Sequence, residues 1–307
     1  MRNTFIKTLE MLAKADDNIY LLTADLGFKL FDGFRGVHPK RFINVGVAES
    51  NMIGLAAGLA LSGKNVYCYS MVPFLTFRTL EQIRVDLCYH DLNVKLVGSG
   101  GGLVYGFEGM THQAIEDISI MRSLPNMTVV VPGDPLEVEG IIKESVKYKG
   151  PLYIRLGKDR DQVVHKSVSD FKIGKGLFVE RGKDLTVITA GIMLPVVKAA
   201  VEILKMKKSV NLVSMHTIKP IDKQLIISCA EKTKAIFTVE EHSIIGGLGS
   251  AVAEILAETD KKVLFRRIAL PDSYSKYIGS AEYLRKKYGL VPDAIVNFIL
   301  KELKQGV

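Results

Sequence analysis

Three short segments gather residue types able to do chemistry. In Val45-Gly46-Val47-Ala48-Glu49-Ser50-Asn51-Met52-Ile53-Gly54-Leu55-Ala56-Ala57-Gly58-Leu59-Ala60, one carboxylate sits between an apolar strand pattern and a helix of small residues. In an α/β sheet, that end of a strand is where ligands bind. Neighbours on both sides are apolar or small, and poor solvation disfavours the anion. Glu49 is therefore expected to hold a proton near neutrality and to serve as an acid. A helix-start carboxylate that only complements the dipole explains the same residues equally well. The second segment, Glu108-Gly109-Met110-Thr111-His112-Gln113-Ala114-Ile115-Glu116-Asp117, ends a glycine-rich loop after another strand pattern. His112 there suits acid/base work at the same sheet end. The alternative is a histidine that satisfies the loop backbone, but the loop has no evident packing purpose. In the third segment, Phe74-Leu75-Thr76-Phe77-Arg78-Thr79-Leu80-Glu81-Gln82, two rings sit three apart at a helix start. Phe74 and Phe77 suit stacking on a planar ligand, although from composition alone a place in the core is the simpler reading.

The elements that must position these residues are legible in the apolar periodicity. Phe5, Leu9 and Leu12 mark an amphipathic helix. Buried strands are expected at Asn18–Ala24, Phe42–Ala48, Asn65–Tyr69, Asn93–Val97, Met127–Val131 and Pro151–Arg155. Helices are expected between them, notably at Glu49–Leu61, Thr79–Tyr89 and Leu136–Lys147. Such alternation predicts a parallel sheet covered on both faces. The composition turns polar near Gly157, at Lys158-Asp159-Arg160-Asp161, and an edge strand is expected at Gly176–Glu180. A second α/β series follows, with strands Leu185–Thr189, Val210–Ser214, Ala235–Val239 and Val263–Ile268. Its helices fall at Leu194–Lys205, Asp222–Cys229, Gly247–Glu258 and Pro292–Lys304.

The 307 residues are 48% apolar and 24% charged, which excludes disordered, collagen-like and disulfide-scaffold classes. No apolar stretch approaches the ~20 residues of a membrane helix. The N-terminus reads as an amphipathic helix and not as a signal peptide. Three scattered cysteines (Cys68, Cys88 and Cys229) form no metal spacing, and the expectation is a reduced, cytoplasmic protein. The net charge of +8 is dispersed, without the aromatic or Cys/His signatures of nucleic-acid binding, so an anionic small substrate is the better match. P-loop, HExxH and GxSxG patterns are absent. Gly98-Ser99-Gly100-Gly101-Gly102 follows a strand, but Leu103 breaks the dinucleotide spacing. Gly247-Leu248-Gly249 opens a helix, where close helix–sheet packing is the better reading than an anion site.

Taken together and in order, VGVAESNMIGLAAGLA, PFLTFRTLEQIRVDL and GFEGMTHQAIED resemble the transketolase-like family of thiamine diphosphate enzymes. The later HTIKPID (His216–Asp222) and VEEHSIIGGLGSAVAE (Val239–Glu254) look like that family's C-terminal domain. The resemblance implies two three-layer α/β/α domains: a pyrimidine-binding domain over 1–156, a linker over 157–184 and a C-terminal domain over 185–307. It implies that Glu49 faces N1′ of the aminopyrimidine and that Phe74, with Phe77, lines the ring pocket. Asp25 would lie near the thiazolium and His112 would contact substrate. Lys158 stands where relatives often carry a phosphate-binding arginine, and would act as a point charge.

Two departures touch substrate recognition. The loop has Phe107-Glu108-Gly109 where relatives have two acids and a glycine, so Glu108 would take the donor's hydroxyl. Gly100 stands where they carry a histidine. The family's diphosphate and Mg²⁺ are held by a Gly-Asp-Gly motif in a first domain, and the nearest match here is Gly133-Asp134-Pro135. The resemblance therefore implies the C-terminal subunit of a split transketolase. An N-terminal subunit would supply the Mg²⁺ ligands in an α₂β₂ assembly acting on sugars or sugar phosphates. Decarboxylating relatives, such as 1-deoxyxylulose-phosphate synthase or a 2-oxoacid dehydrogenase beta subunit, are the alternative enzymes. A non-catalytic subunit that only binds its partner is the alternative outside enzymes.

Overall fold

Apolar runs with no polar face to offer water pair edge to edge and bury both sides. The computed structural model, which describes residues 1–158, 162–167 and 171–305, places these runs in two sheets. The first combines β1 (Ile19–Thr23), β2 (Phe42–Asn44), β3 (Asn65–Met71), β4 (Val94–Ser99), β5 (Thr128–Val130) and β6 (Leu152–Leu156). The second combines β7 (Leu177–Glu180), β8 (Leu185–Thr189), β9 (Val210–Ser214), β11 (Ala235–Ser243) and β12 (Leu264–Leu270). Between β9 and β11 the chain returns to the first sheet as β10 (Thr217–Lys219). The strand orders are β10-β5-β6-β4-β3-β1-β2 and β12-β11-β8-β9-β7. Each sheet carries helices on both faces, which makes two three-layer α/β units.

Side chains alternate between faces along each strand. Leu21 joins the apolar cluster beneath the helix Arg2–Ala13, and its neighbour Leu22 joins the one beneath the helix Glu49–Leu61. That second cluster runs on through Ala190, Val213 and Met215 of the second unit, so the two sheets share core.

Three features depart from the pattern read along the chain, and one expectation is met. Of the four edge strands, β7 and β10 run antiparallel to their neighbours. The expected edge strand at Gly176–Glu180 is β7, and it belongs to the second sheet. β2 ends at Asn44 and not at Ala48, because the Asn44 Oδ1 accepts the Gly46 and Asp25 N–H groups and closes the ladder. β11 extends past Val239 through Glu240, Glu241 and His242, all buried. Asp159, Arg160 and Asp161 of the polar run lie outside the described residues.

Lys95 on β4 is fully buried. Its Nζ donates to Asn65 Oδ1 at 2.6 Å, to Asn93 Oδ1, and to the Tyr148 carbonyl at 3.2 Å. Burial pushes its ammonium down to about 7 from an ordinary 10.5. Between those values the unfolded chain binds the proton that the native state has released, so this residue makes stability rise with pH. Lys95→Met should remove that rise, on the order of a few kcal/mol between pH 7 and 10. Urea midpoints of both proteins at pH 7 and 9.5 measure it, and equal slopes would refute the assignment.

Candidate active site

The residues to which the resemblance gives a role lie past the carboxyl ends of parallel strands of the first sheet. Asp25 follows β1, Glu49 follows β2, Phe74 follows β3, the loop with Glu108 and His112 follows β4, and Lys158 follows β6. Open α/β sheets bind ligands along this edge.

Glu49 is the first residue of the helix Glu49–Leu61, and its side chain is 1% exposed. Its oxygens do not turn back onto the amides of its own helix. Oε1 accepts from Ser70 Oγ at 3.2 Å, and Oε2 accepts from Arg78 Nη1 at 2.7 Å. This distinguishes it from a simple helix-start carboxylate. The expectation that it holds a proton left out Arg78, a charged partner 29 residues further along the chain.

Arg78 is itself half exposed, and its guanidinium lies over the Phe74 ring, 4.6 Å from the centroid. The Phe74 ring meets the His112 ring edge-on at 5.1 Å and 75°. His112 Nδ1 lies 2.9 Å from Thr111 Oγ1, and among the described residues no hydrogen bond engages Nε2. The row continues through Tyr105, 6.4 Å from the His112 ring, to Lys158, whose Nζ stands 4.5 Å from the Tyr105 centroid. Tyr105 also accounts for Gly100, whose φ is +80°. A Cβ there would stand 2.0 Å from Tyr105 Cε2, so the tyrosine ring fills the space a longer residue would need.

Glu49, Phe74, His112 and Lys158 thus fall in one row, with Arg78 and Tyr105 as its joints. Among the described residues, no side-chain hydrogen bond, ion pair or ring contact ties Phe77, Asp25 or Glu108 to it, although Glu108 N–H donates to the Tyr105 carbonyl at 3.1 Å. Phe77 ends the short helix Val72–Thr76 and is partly buried. Asp25 is exposed with a φ of +54° and pairs with Asn44. Glu108 is exposed on the turn Gly106–Glu108. Arg78, Ser70 and Tyr105 were not singled out from sequence. The spacing of four between Phe74 and Arg78 is the signal that a helical reading offers, and nothing local marks Tyr105.

The helix after Gly247 is not an anion site. Glu240 accepts the N–H groups of Leu248 and Gly249 at 2.7 and 2.8 Å and fills that terminus. No group of three or more His, Cys, Asp or Glu side chains able to hold a metal occurs among the described residues. A cavity of about 800 Å³ lies on the far flank of the β4 loop, bordered by Phe107, Lys158, Pro195, Arg285 and Pro292. It takes in neither Glu49 nor His112.

The model of the transketolase pyrimidine-binding domain matches residues 1–161, and that of the transketolase C-terminal domain matches residues 174–295. A putative transketolase C-terminal section from Methanocaldococcus jannaschii is 41% identical over 99% of this chain and 96% of its own. The 6-deoxy-6-sulfo-D-fructose transketolase subunit SqwH of Clostridium sp. (strain MSTE9) is 38% identical over 97% of this chain and 92% of its own. A solved chain described as a split gene transketolase, inactive beta4 tetramer, superposes with a TM-score of 0.88 at 37% identity, covering 99% of this chain and 97% of that one.

Proposed function

The chain belongs to the transketolase family, and from that premise we propose that it is the C-terminal subunit of a split, thiamine diphosphate-dependent transketolase. It moves a two-carbon ketol unit from a ketose or ketose phosphate to an aldose acceptor. The observation that supports this most directly is the row Glu49–Arg78–Phe74–His112 along the ligand-binding edge of the first sheet.

The donor set suits the cofactor's aminopyrimidine. A buried carboxyl at a strand end, with an aromatic ring close by, matches a flat heterocycle carrying a basic ring nitrogen. When bound, thiamine diphosphate supplies a thiazolium that serves as the electron sink. Glu49 holds a proton at N1′ of the pyrimidine. To do so it gives up Arg78, whose half-exposed side chain leaves without disturbing the core. Phe74 offers a face to the ring, and Phe77 and Asp25 line the same edge. His112 holds or moves a proton at the substrate hydroxyl, and Glu108 accepts from the donor. Mg²⁺ and the diphosphate fall to the partner subunit.

Lys158 meets an anionic group on the substrate as a point charge. Lys158→Ala should raise KM for phosphorylated donors about tenfold and leave kcat nearly unchanged, the mark of uniform binding. Initial rates with a ketose phosphate and with the free ketose measure it, and equal loss on both would refute the role.

The helix Glu49–Leu61 also points to the partner. It is apolar nearly all round, a pattern ordinarily found in buried helices. Met52, Ile53, Ala56 and Ala57 face the core, while Gly54, Leu55, Gly58 and Leu61 face outward. Nothing lies within 4 Å of the place a Cβ would take at Gly54 or Gly58. Val47, 75% exposed, continues this surface past Glu49. We assign this face to the diphosphate-binding subunit, in an α₂β₂ assembly.

The test is reconstitution with that subunit, thiamine diphosphate and Mg²⁺. Transfer between sugars without CO₂ release supports the proposal, whereas CO₂ release from a 2-oxoacid in place of sugar transfer would overturn it in favour of a decarboxylating relative.

A further inference from the structure

The loop carrying Glu108 and His112 leaves the first sheet after β4 and returns at the helix Asp117–Ser123, yet the second unit holds it. Leu103 and Ile115, near its two roots, are buried in the apolar cluster of the second sheet with Val187, Phe237 and Leu284. Ser243 N–H donates to the Ile115 carbonyl at 2.7 Å, and Gly279 N–H donates to that of Gly106 at 3.2 Å. The roots are laced to each other by reciprocal Gly102 and Ala114 hydrogen bonds of 2.7 and 2.9 Å. Arg155 Nη2 bridges the Ala114 and Glu241 carbonyls at 2.9 and 3.1 Å.

At the centre of this fastening is the side chain of Glu241, 1% exposed. Its Oε1 accepts Leu103 N–H at 2.7 Å, and its Oε2 pairs with Arg285. Gly102 makes room for it: with φ +72°, a Cβ there would come within 2.3 Å of Oε1. A buried carboxylate is costly unless charged hydrogen bonds satisfy it, so plain packing here would favour an apolar side chain. No group given a role in the chemistry touches Glu241.

We propose that Glu241 is a positioning residue for the site loop: it carries the second unit's grip, anchored by Arg285, through Leu103 N–H to the segment that presents His112. The C-terminal domain thereby acts as the brace of the substrate-facing loop. This rests on the reading of His112 given above.

The full-length chain, labelled with ¹³C-histidine, reports the grip without partner or substrate. In Glu241→Ala the His112 Cε1–H resonance should move or broaden, and amide exchange over residues 103–115 should quicken roughly tenfold or more. His38 and His90 should stay in place. Glu241→Gln keeps an acceptor for Leu103 N–H and should stay close to wild type. An unmoved His112 resonance in Glu241→Ala, or identical behaviour of the Ala and Gln variants, would overturn the proposal. Should Glu241→Ala fail to fold, Arg285→Ala, which removes the anchor of that carboxylate and leaves the loop's own residues untouched, decides by the same resonance. In the reconstituted complex, Glu241→Ala should lower kcat/KM and add little on top of His112→Ala. Additive losses sink the positioning role. A harmless His112→Ala instead sinks the reading of His112, while the resonance still decides whether the brace exists.

Discussion

Glu49→Gln in the reconstituted complex should lower the rate of ketol transfer by about 10²–10⁴-fold. The substitution preserves size, and the glutamine oxygen can still accept a hydrogen bond from Ser70 or Arg78, so the site keeps its shape. What it loses is the carboxyl that the proposed mechanism uses at N1′, the one buried carboxyl of the row. The cost to folding should be small, because Arg78 is half exposed and its charge is not left buried without a counter-ion. Circular dichroism, the melting temperature and the affinity for the partner subunit should stay close to wild type while turnover collapses. Activity within about threefold of wild type would remove Glu49 from the chemistry. It would leave the chain as a subunit that only binds its partner.

The second large effect concerns assembly. Leu55 lies on the outward face of the helix Glu49–Leu61, between Gly54 and Gly58. In the isolated chain Leu55→Asp meets solvent and should fold normally. Against the partner, an unpaired carboxylate would be buried at several kcal/mol, which weakens association by about 10²-fold or more. Gly58→Leu should act the same way through bulk, since nothing in the chain itself lies over Gly58, where the proposal seats the partner. Sedimentation of the mixed subunits measures both variants. Wild-type affinity in Leu55→Asp would show that the partner docks elsewhere. The wild-type mixture should sediment with the mass of two copies of each subunit. Alone, the chain should bind thiamine diphosphate poorly, because the proposed assembly leaves the diphosphate and metal contacts to the partner. Micromolar binding by the isolated chain would contradict that division.

Much of this was legible along the chain because it depends on near neighbours. Runs such as Asn65–Tyr69 and Leu185–Thr189 are rich in β-branched and aromatic residues with no charge, and each forms a buried strand within a residue or two of its expected limits. Glu49 falls at a strand-to-helix junction by the change of period alone. The alternation of such units requires a largely parallel sheet, and in such a sheet every strand's carboxyl end points the same way. That is how Asp25, Glu49, Phe74, His112 and Lys158 come to share one edge although they span more than a hundred residues.

Other features needed the folded chain. Strand β11 should have stopped at Val239 by composition, since Glu240, Glu241 and His242 are poor candidates for burial. They continue the strand because each meets a partner from elsewhere. Glu240 takes the amides after Gly247, Glu241 takes Leu103 and Arg285, and His242 accepts from Ser119 N–H. Likewise β10 leaves its own half of the chain to edge the first sheet, and Arg78 crosses to Glu49. Hydrophobic periodicity is a property of a few consecutive residues, so the sequence by itself determined the elements, their order and the edge on which the site lies. A buried charge is stable only beside its counterpart, and for Glu49 and Glu241 the counterparts are tens of residues away. Which acid is paired, which loop is braced and which helix face stays bare were therefore decided only when the tertiary structure brought those residues together.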